Sequence, residues 1–175
     1  VANTTGIYCS FNSDAQLSGE ITGVKNSIAL SLNDSAAAVL EKEGIICNNA
    51  CTTAAVYLRA DAQFKIYGKI NDNTSTGNCA ALFIVTNGAA SHATLEPGGE
   101  ICSNTNGGSK YGAAVELQQG SRSFTMNGGT INGNRGPSGP VQVHKDSAKV
   151  LMKRGVGAGH TSPTGRDVGN SVEDS

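Results

Sequence analysis

Gly129 to Asn134 reads GTINGN, and the same phrase, Gly-x-Ile-x-x-Asn, recurs at Gly44 to Asn49 (GIICNN), Gly68 to Asn73 (GKINDN) and Gly99 to Asn104 (GEICSN). A fifth, altered copy is Gly19 to Val24 (GEITGV). Copies that start 24 to 31 residues apart are the mark of a coil wound repeatedly about one axis. Read physically, the glycine allows a tight bend and the β-branched isoleucine suits a pleated, half-buried surface. The asparagine ends the strand because it tolerates the left-handed backbone conformation. Stacking in register predicts one apolar column of Ile21, Ile46, Ile70, Ile101 and Ile131. It predicts a second column, Asn49, Asn73, Asn104 and Asn134, whose amides pass hydrogen bonds from coil to coil. At about 1 kcal/mol net per bond, that ladder sets register more than total stability.

Two further apolar segments precede each copy. The first alternates at Ile7/Cys9, Ile28/Leu30, Val56/Leu58, Leu82/Ile84, Val115/Leu117 and Val141/Val143, the spacing of a strand with one buried face. Three of these have an Ala-Ala entry, at Ala54-Ala55, Ala80-Ala81 and Ala113-Ala114. The second segment shows in Phe64/Ile66, Leu95/Pro97 and Phe124/Met126, with Leu17, Leu40 and Leu151 as partial copies. The expected architecture is therefore all-β, a right-handed parallel β-helix of about six coils with three short strands each, over residues 1–156. At roughly 4.8 Å per coil such a rod stands about 29 Å tall. Gly155-Val156-Gly157 is a decayed copy, and 157–175 reads as a polar tail or incomplete last coil. A leucine-rich-repeat horseshoe is the alternative, but leucine does not dominate and no helical spacing appears between the strands.

Composition agrees with a narrow solenoid. The 175 residues are 38% apolar and 15% charged, with 23 glycines and no tryptophan, which suits a thin lumen better than a thick globular core. The net charge of -1 makes no general case for nucleic acid or an acidic membrane surface. No run of about 18 apolar residues offers a membrane span. The chain opens at Val1 without a charged, apolar leader, and reads as a processed product or excised piece.

The run FTMNGGTINGN, Phe124 to Asn134, with its echoes at Phe64 to Asn73 and Leu95 to Asn104, resembles the repeats of right-handed parallel β-helix proteins of the pectin-lyase-like type. It is most similar to the non-catalytic repeat regions of bacterial surface and adhesin-like proteins. The resemblance implies an aliphatic lumen and an extracellular or cell-surface setting. It implies no particular activity, because that coil carries lyases, hydrolases, tailspikes and adhesins alike.

Candidate chemistry is sparse. There is no Asp-Asp pair, and Asp14, Asp34, Asp61, Asp72 and Asp146 fall mostly in bends. Nothing in their spacing forces two carboxylates into the 5–9.5 Å range, roughly, of paired acid/base catalysis. Gly159-His160-Thr161 reads as a loop histidine. Cys47 and Cys51 lack a second pair, and His92, His144 and His160 are scattered, so neither metal nor cofactor is indicated. Register allows a disulfide between Cys51 and Cys79, places Cys47 and Cys102 two coils apart, and buries Cys9 as an inward thiol. Outward positions of the first strand read as Tyr8, Ala29, Tyr57, Phe83, Glu116 and Gln142. Tyr57 and Phe83 are expected to be exposed unless a loop covers them. Tyr8, Tyr57 and Phe83 are thus the candidate ligand-binding residues, for a sugar or a protein partner.

The expected function is a rigid, non-catalytic stalk or adhesive surface, the alternative being part of a polysaccharide lyase or glycoside hydrolase. Uncapped coil ends expose strand edges, so the solenoid is expected to continue, to dock on another module or to self-associate with a second subunit.

Overall fold

The isoleucines of the repeated phrase lie directly above one another. A computed structural model describes residues 5–85, 90–109, 112–118, 122–143, 148–153 and 156–158. Within it Ile21 pairs with Ile46, Ile46 with Ile70, Ile70 with Ile101 and Ile101 with Ile131, all in parallel register. Their strands, Glu20–Thr22, Ile45–Cys47, Lys69–Asn71, Glu100–Cys102, Thr130–Asn132 and Val156–Ala158, form a six-stranded sheet. We call it the third sheet. Gly157 stands opposite Ile131 at its far edge.

The two preceding segments of each coil build two more six-stranded sheets. The first contains Ile7–Cys9, Leu30–Leu32, Val56–Leu58, Leu82–Ile84, Val115–Leu117 and Val141–Val143. The second contains Asp14–Leu17, Ala37–Leu40, Gln63–Ile66, His92–Leu95, Arg122–Met126 and Ala148–Met152. Six strands per sheet make about five full turns of a parallel β-helix, and the described residues include no helix. Leu30, Leu32, Leu40, Phe64, Phe124 and Met126 fill the lumen with almost no exposure. Leaving a lumen position open by truncating such a leucine to alanine costs about 2–5 kcal/mol.

Each coil has a fourth side that the sequence reading does not anticipate. Ala50–Cys51, Thr74–Ser75 and Thr105–Asn106 form a short three-stranded sheet, prolonged by bridges from Lys25 to Ala50 and from Thr105 to Arg135. The ladder asparagines therefore stand at a corner between the third sheet and this fourth side. Two-residue strands are too short to show an alternating pattern.

The ladder is continuous. Nδ2 of Asn49 donates to Oδ1 of Asn73 (2.9 Å), Nδ2 of Asn73 to Oδ1 of Asn104 (3.0 Å) and Nδ2 of Asn104 to Oδ1 of Asn134 (2.9 Å). In the altered copy Val24 supplies only its backbone N–H, to Oδ1 of Asn49 at 2.9 Å. The left-handed residue of this corner is the one before the asparagine, or before Val24 in the altered copy: Gly23, Asn48, Asp72, Ser103 and Gly133 all have φ between 54° and 72°. The ladder asparagines are there for their amides, which reach carbonyls of the neighbouring coil, as Nδ2 of Asn73 reaches Ile46 O at 2.9 Å.

The repeated glycines also serve a different purpose from the one expected. Of Gly44, Gly68, Gly99 and Gly129 only Gly129 has positive φ, at 76°. A Cβ on Gly44 meets the Leu17 carbonyl, one on Gly68 meets the carbonyls of Gly44 and Glu41, and one on Gly99 meets that of Ile66. Glycine is needed because the coils touch backbone to backbone there.

Register corrects three positions. Leu30 and Leu32, not Ile28 and Leu30, pair with Val56 and Leu58. Ala93 and Leu95, not Leu95 and Pro97, pair with Phe64 and Ile66. Val150 stands opposite Phe124, whereas Leu151 faces outward, opposite Thr125, and is 43% exposed. The tail at 159–175, with His160, lies outside the described residues, as do His144 and Asp146.

Candidate functional site

The outward column of the first sheet is Tyr8, Ser31, Tyr57, Phe83, Glu116 and Gln142. Ser31 takes the place expected for Ala29, which is fully buried. A second column follows each inward pair, because Arg59 N bonds Leu32 O, Val85 N bonds Leu58 O and Gln118 N bonds Ile84 O. It runs Asn33, Arg59, Val85, Gln118.

This face has two halves of different character. In the covered half Phe83 is only 3% exposed, packed with Ala54, Cys79 and Val85 and against Tyr57. Phe83 is therefore unavailable as a docking surface. It fixes Tyr57 instead: the ring centroids are 5.7 Å apart and the planes tilted by 48°, a favoured aromatic geometry. Glu116 lies beside it, fully buried. Burial pushes its carboxyl from the ordinary 4.5 up to about 8, against hydrogen bonds from Gln118 and the Gly112 backbone that favour the charged form.

In the open half Tyr8 is 56% exposed, while Tyr57 and Arg59 are half-buried. Between and below them lie Ser31 and Asn33, both buried. Arg59 donates Nε to Oδ1 of Asn33, and Asn33 donates Nδ2 to Oγ of Ser31 at 3.1 Å. The sequence reading missed this triad. The signal for it was Ala29: aligned with Ala55 and Ala81, each directly before its strand, it puts Leu30 opposite Val56 and hence Asn33 opposite Arg59.

No family model, curated protein or solved structure matches the chain.

All five cysteines are free thiols. Cys51 and Cys79, between which register allows a disulfide, are not joined: Cys51 pairs with Ser75 and packs into the lumen, whereas Cys79 packs outside with Phe83. Burial raises the Cys51 thiol to about 11, and burial together with the nearby Glu116 raises that of Cys79. Cys47 and Cys102 do stand two coils apart, on either side of Asn71. Cys47 donates to Oε1 of Glu20 at 3.0 Å. Cys9 is half-buried against the lumen rather than enclosed by it.

The other outer faces carry isolated pairs. Lys69 and Glu100 form an ion pair at 3.3 Å on the third sheet, a solvated contact worth under about 1 kcal/mol. On the second sheet His92 Nδ1 lies 2.6 Å from Oγ of Ser123. Among the described residues no group of three or more His, Cys, Asp or Glu is placed to hold a metal, and no helix is long and apolar enough to cross a membrane.

Proposed function

We propose that the chain is a rigid β-helix segment of a secreted or cell-surface protein, similar to the repeat regions of adhesin-like proteins. It acts without catalysis, as a stalk with one adhesive side, and the adhesive side takes a carbohydrate on Tyr8, Tyr57 and Arg59. The observation that carries this reading is the way the open half is fixed. Tyr57 is held by Phe83 and Arg59 by the buried Asn33, so little side-chain freedom is lost when a ligand arrives. Aromatic faces beside fixed polar donors suit sugar rings. Tyr8 and Tyr57 are two strands apart, roughly 10 Å, the reach of a few sugar rings. A stable protein interface takes about 800 Å² and 20–30 residues per side, far more than these three side chains supply.

The test is binding of the 175-residue chain to a panel of neutral and acidic polysaccharides, with Tyr8→Ala and Tyr57→Ala compared by circular dichroism and affinity. Each substitution is expected to weaken binding about tenfold, close to 1.4 kcal/mol, without loss of fold. Unchanged affinity in both removes this face from the adhesive role. Release of reducing sugar or unsaturated product by the intact chain overturns the non-catalytic reading.

A further inference from the structure

Arg59 is held in an unusual way for a surface cation. Among the described residues its guanidinium makes one hydrogen bond, from Nε to Asn33, and Asn33 is 1% exposed and itself tied to Ser31. Turning that amide away strands buried polar atoms, so the guanidinium plane is set from below. Among the described residues no carboxylate pairs with Arg59, whereas Lys69 is paired with Glu100. Asp34 and Asp61, in the left-handed turns that follow Asn33 and Arg59, form no ion pair with it. With Nε engaged, the two Nη groups are left as a fork, the edge that takes two oxygens of one oxyanion. Tyr57 precedes Arg59 by two residues on the same strand face, so an anion on the fork lies beside a ring held against that tyrosine.

Resting on the carbohydrate reading of this face, we propose that Arg59 is its anion subsite and that the ligand is an acidic saccharide, with a carboxylate or sulfate of the sugar on the Nη edge. A lysine cannot replace it, because an ammonium lacks the planar fork.

The experiment uses the full chain and two neutral backbones, a β-linked glucan and an α-linked galactan oligomer. Each is supplied unmodified, oxidised to carboxylate at the primary alcohol, and sulfated there. The expected result is at least tenfold tighter binding of an acidic form than of its neutral parent on one backbone. That preference should vanish in Arg59→Gln and be largely lost in Arg59→Lys. The carboxylate and sulfate arms identify which anion is preferred. Equal binding of neutral and acidic forms, or a preference that survives in Arg59→Gln, overturns the subsite while leaving the carbohydrate face in place. Binding of no saccharide removes both. Arg59-dependent binding of an oligoglutamate peptide as tight as that of the acidic sugar also overturns it, in favour of an acidic protein segment.

Discussion

Oδ1 of Asn104 receives two hydrogen bonds from Asn73, one from its backbone N and one from its side-chain Nδ2, each at 3.0 Å. Asn73 does the same for Asn49, at 3.1 and 2.9 Å. Asn73→Ala therefore removes the acceptor of the Asn49 N–H and one of the two acceptors of Asn49 Nδ2, which keeps the Ile21 carbonyl, and takes a donor from the Ile46 carbonyl. With unmet buried groups costing about 1–3 kcal/mol each, a loss of about 3 kcal/mol is expected in urea unfolding. A loss below about 1 kcal/mol contradicts a structural role for the ladder.

Asn73→Asp tests the donor side of the same contacts. A carboxylate at that site faces Ile46 O and Oδ1 of Asn104, so the folded state favours the protonated acid and its pKa rises above the ordinary 3.9 or so. A raised carboxyl pKa means stability that is present below the unfolded value and lost as pH climbs through the folded one. The deficit relative to the parent chain should therefore be larger at pH 8 than at pH 4, as read from urea midpoints. Equal deficits argue that the amide does not donate there.

Gly68 and Gly19 form a matched pair. A Cβ on Gly68 runs into two backbone carbonyls, while one on Gly19 meets nothing within 4 Å. Gly68→Ala should cost about 3 kcal/mol or prevent folding, since coils pressed backbone to backbone cannot part locally. Gly19→Ala should stay within about 0.5 kcal/mol. Thermal melts of the two variants decide it.

Glu116 gives the parent chain a pH signature. Its folded pKa, pushed up to about 8, exceeds the ordinary 4.5. Its contribution is thus most favourable below pH 4.5, declines between 4.5 and 8, and is exhausted above. Glu116→Gln should flatten that part of the urea-midpoint profile. A profile that the substitution leaves unchanged places the carboxyl in water.

The thiols give a chemical check. With Cys51 and Cys79 buried and their pKa values raised, both should resist a thiol reagent in the native chain and react once it is unfolded. All five should count as thiols in denaturant, without reductant. A count of three shows a disulfide and contradicts five free thiols.

Much of this architecture was legible because the Gly-x-Ile-x-x-Asn phrase repeats a constraint that only stacking explains. Its isoleucine and asparagine columns stand where spacing put them. What spacing could not settle was register within a period of two: Ile28, Leu30 and Leu32 alternate equally well, and only the pairing of Leu30 with Val56 decides among them. Nor could alternation show that Phe83 is covered, since the covering residues Ala54 and Cys79 come from outside its strand. The reason for each glycine was hidden for a similar cause. Close approach of two backbones is a property of neighbouring coils, and a single strand's sequence carries no mark of it.

The hydrogen bonds that join one coil to the next run along the axis of the rod, and each coil meets only its neighbours. Tension applied to the two ends of the chain therefore loads those rungs in series and peels the outermost coil first. Each yielding step frees 24 to 31 residues, by the spacing of the repeated phrase, or roughly 90 Å of slack. Under a pull the molecule behaves as a ratchet of near-equal extensions, absorbing work in instalments instead of snapping at one load.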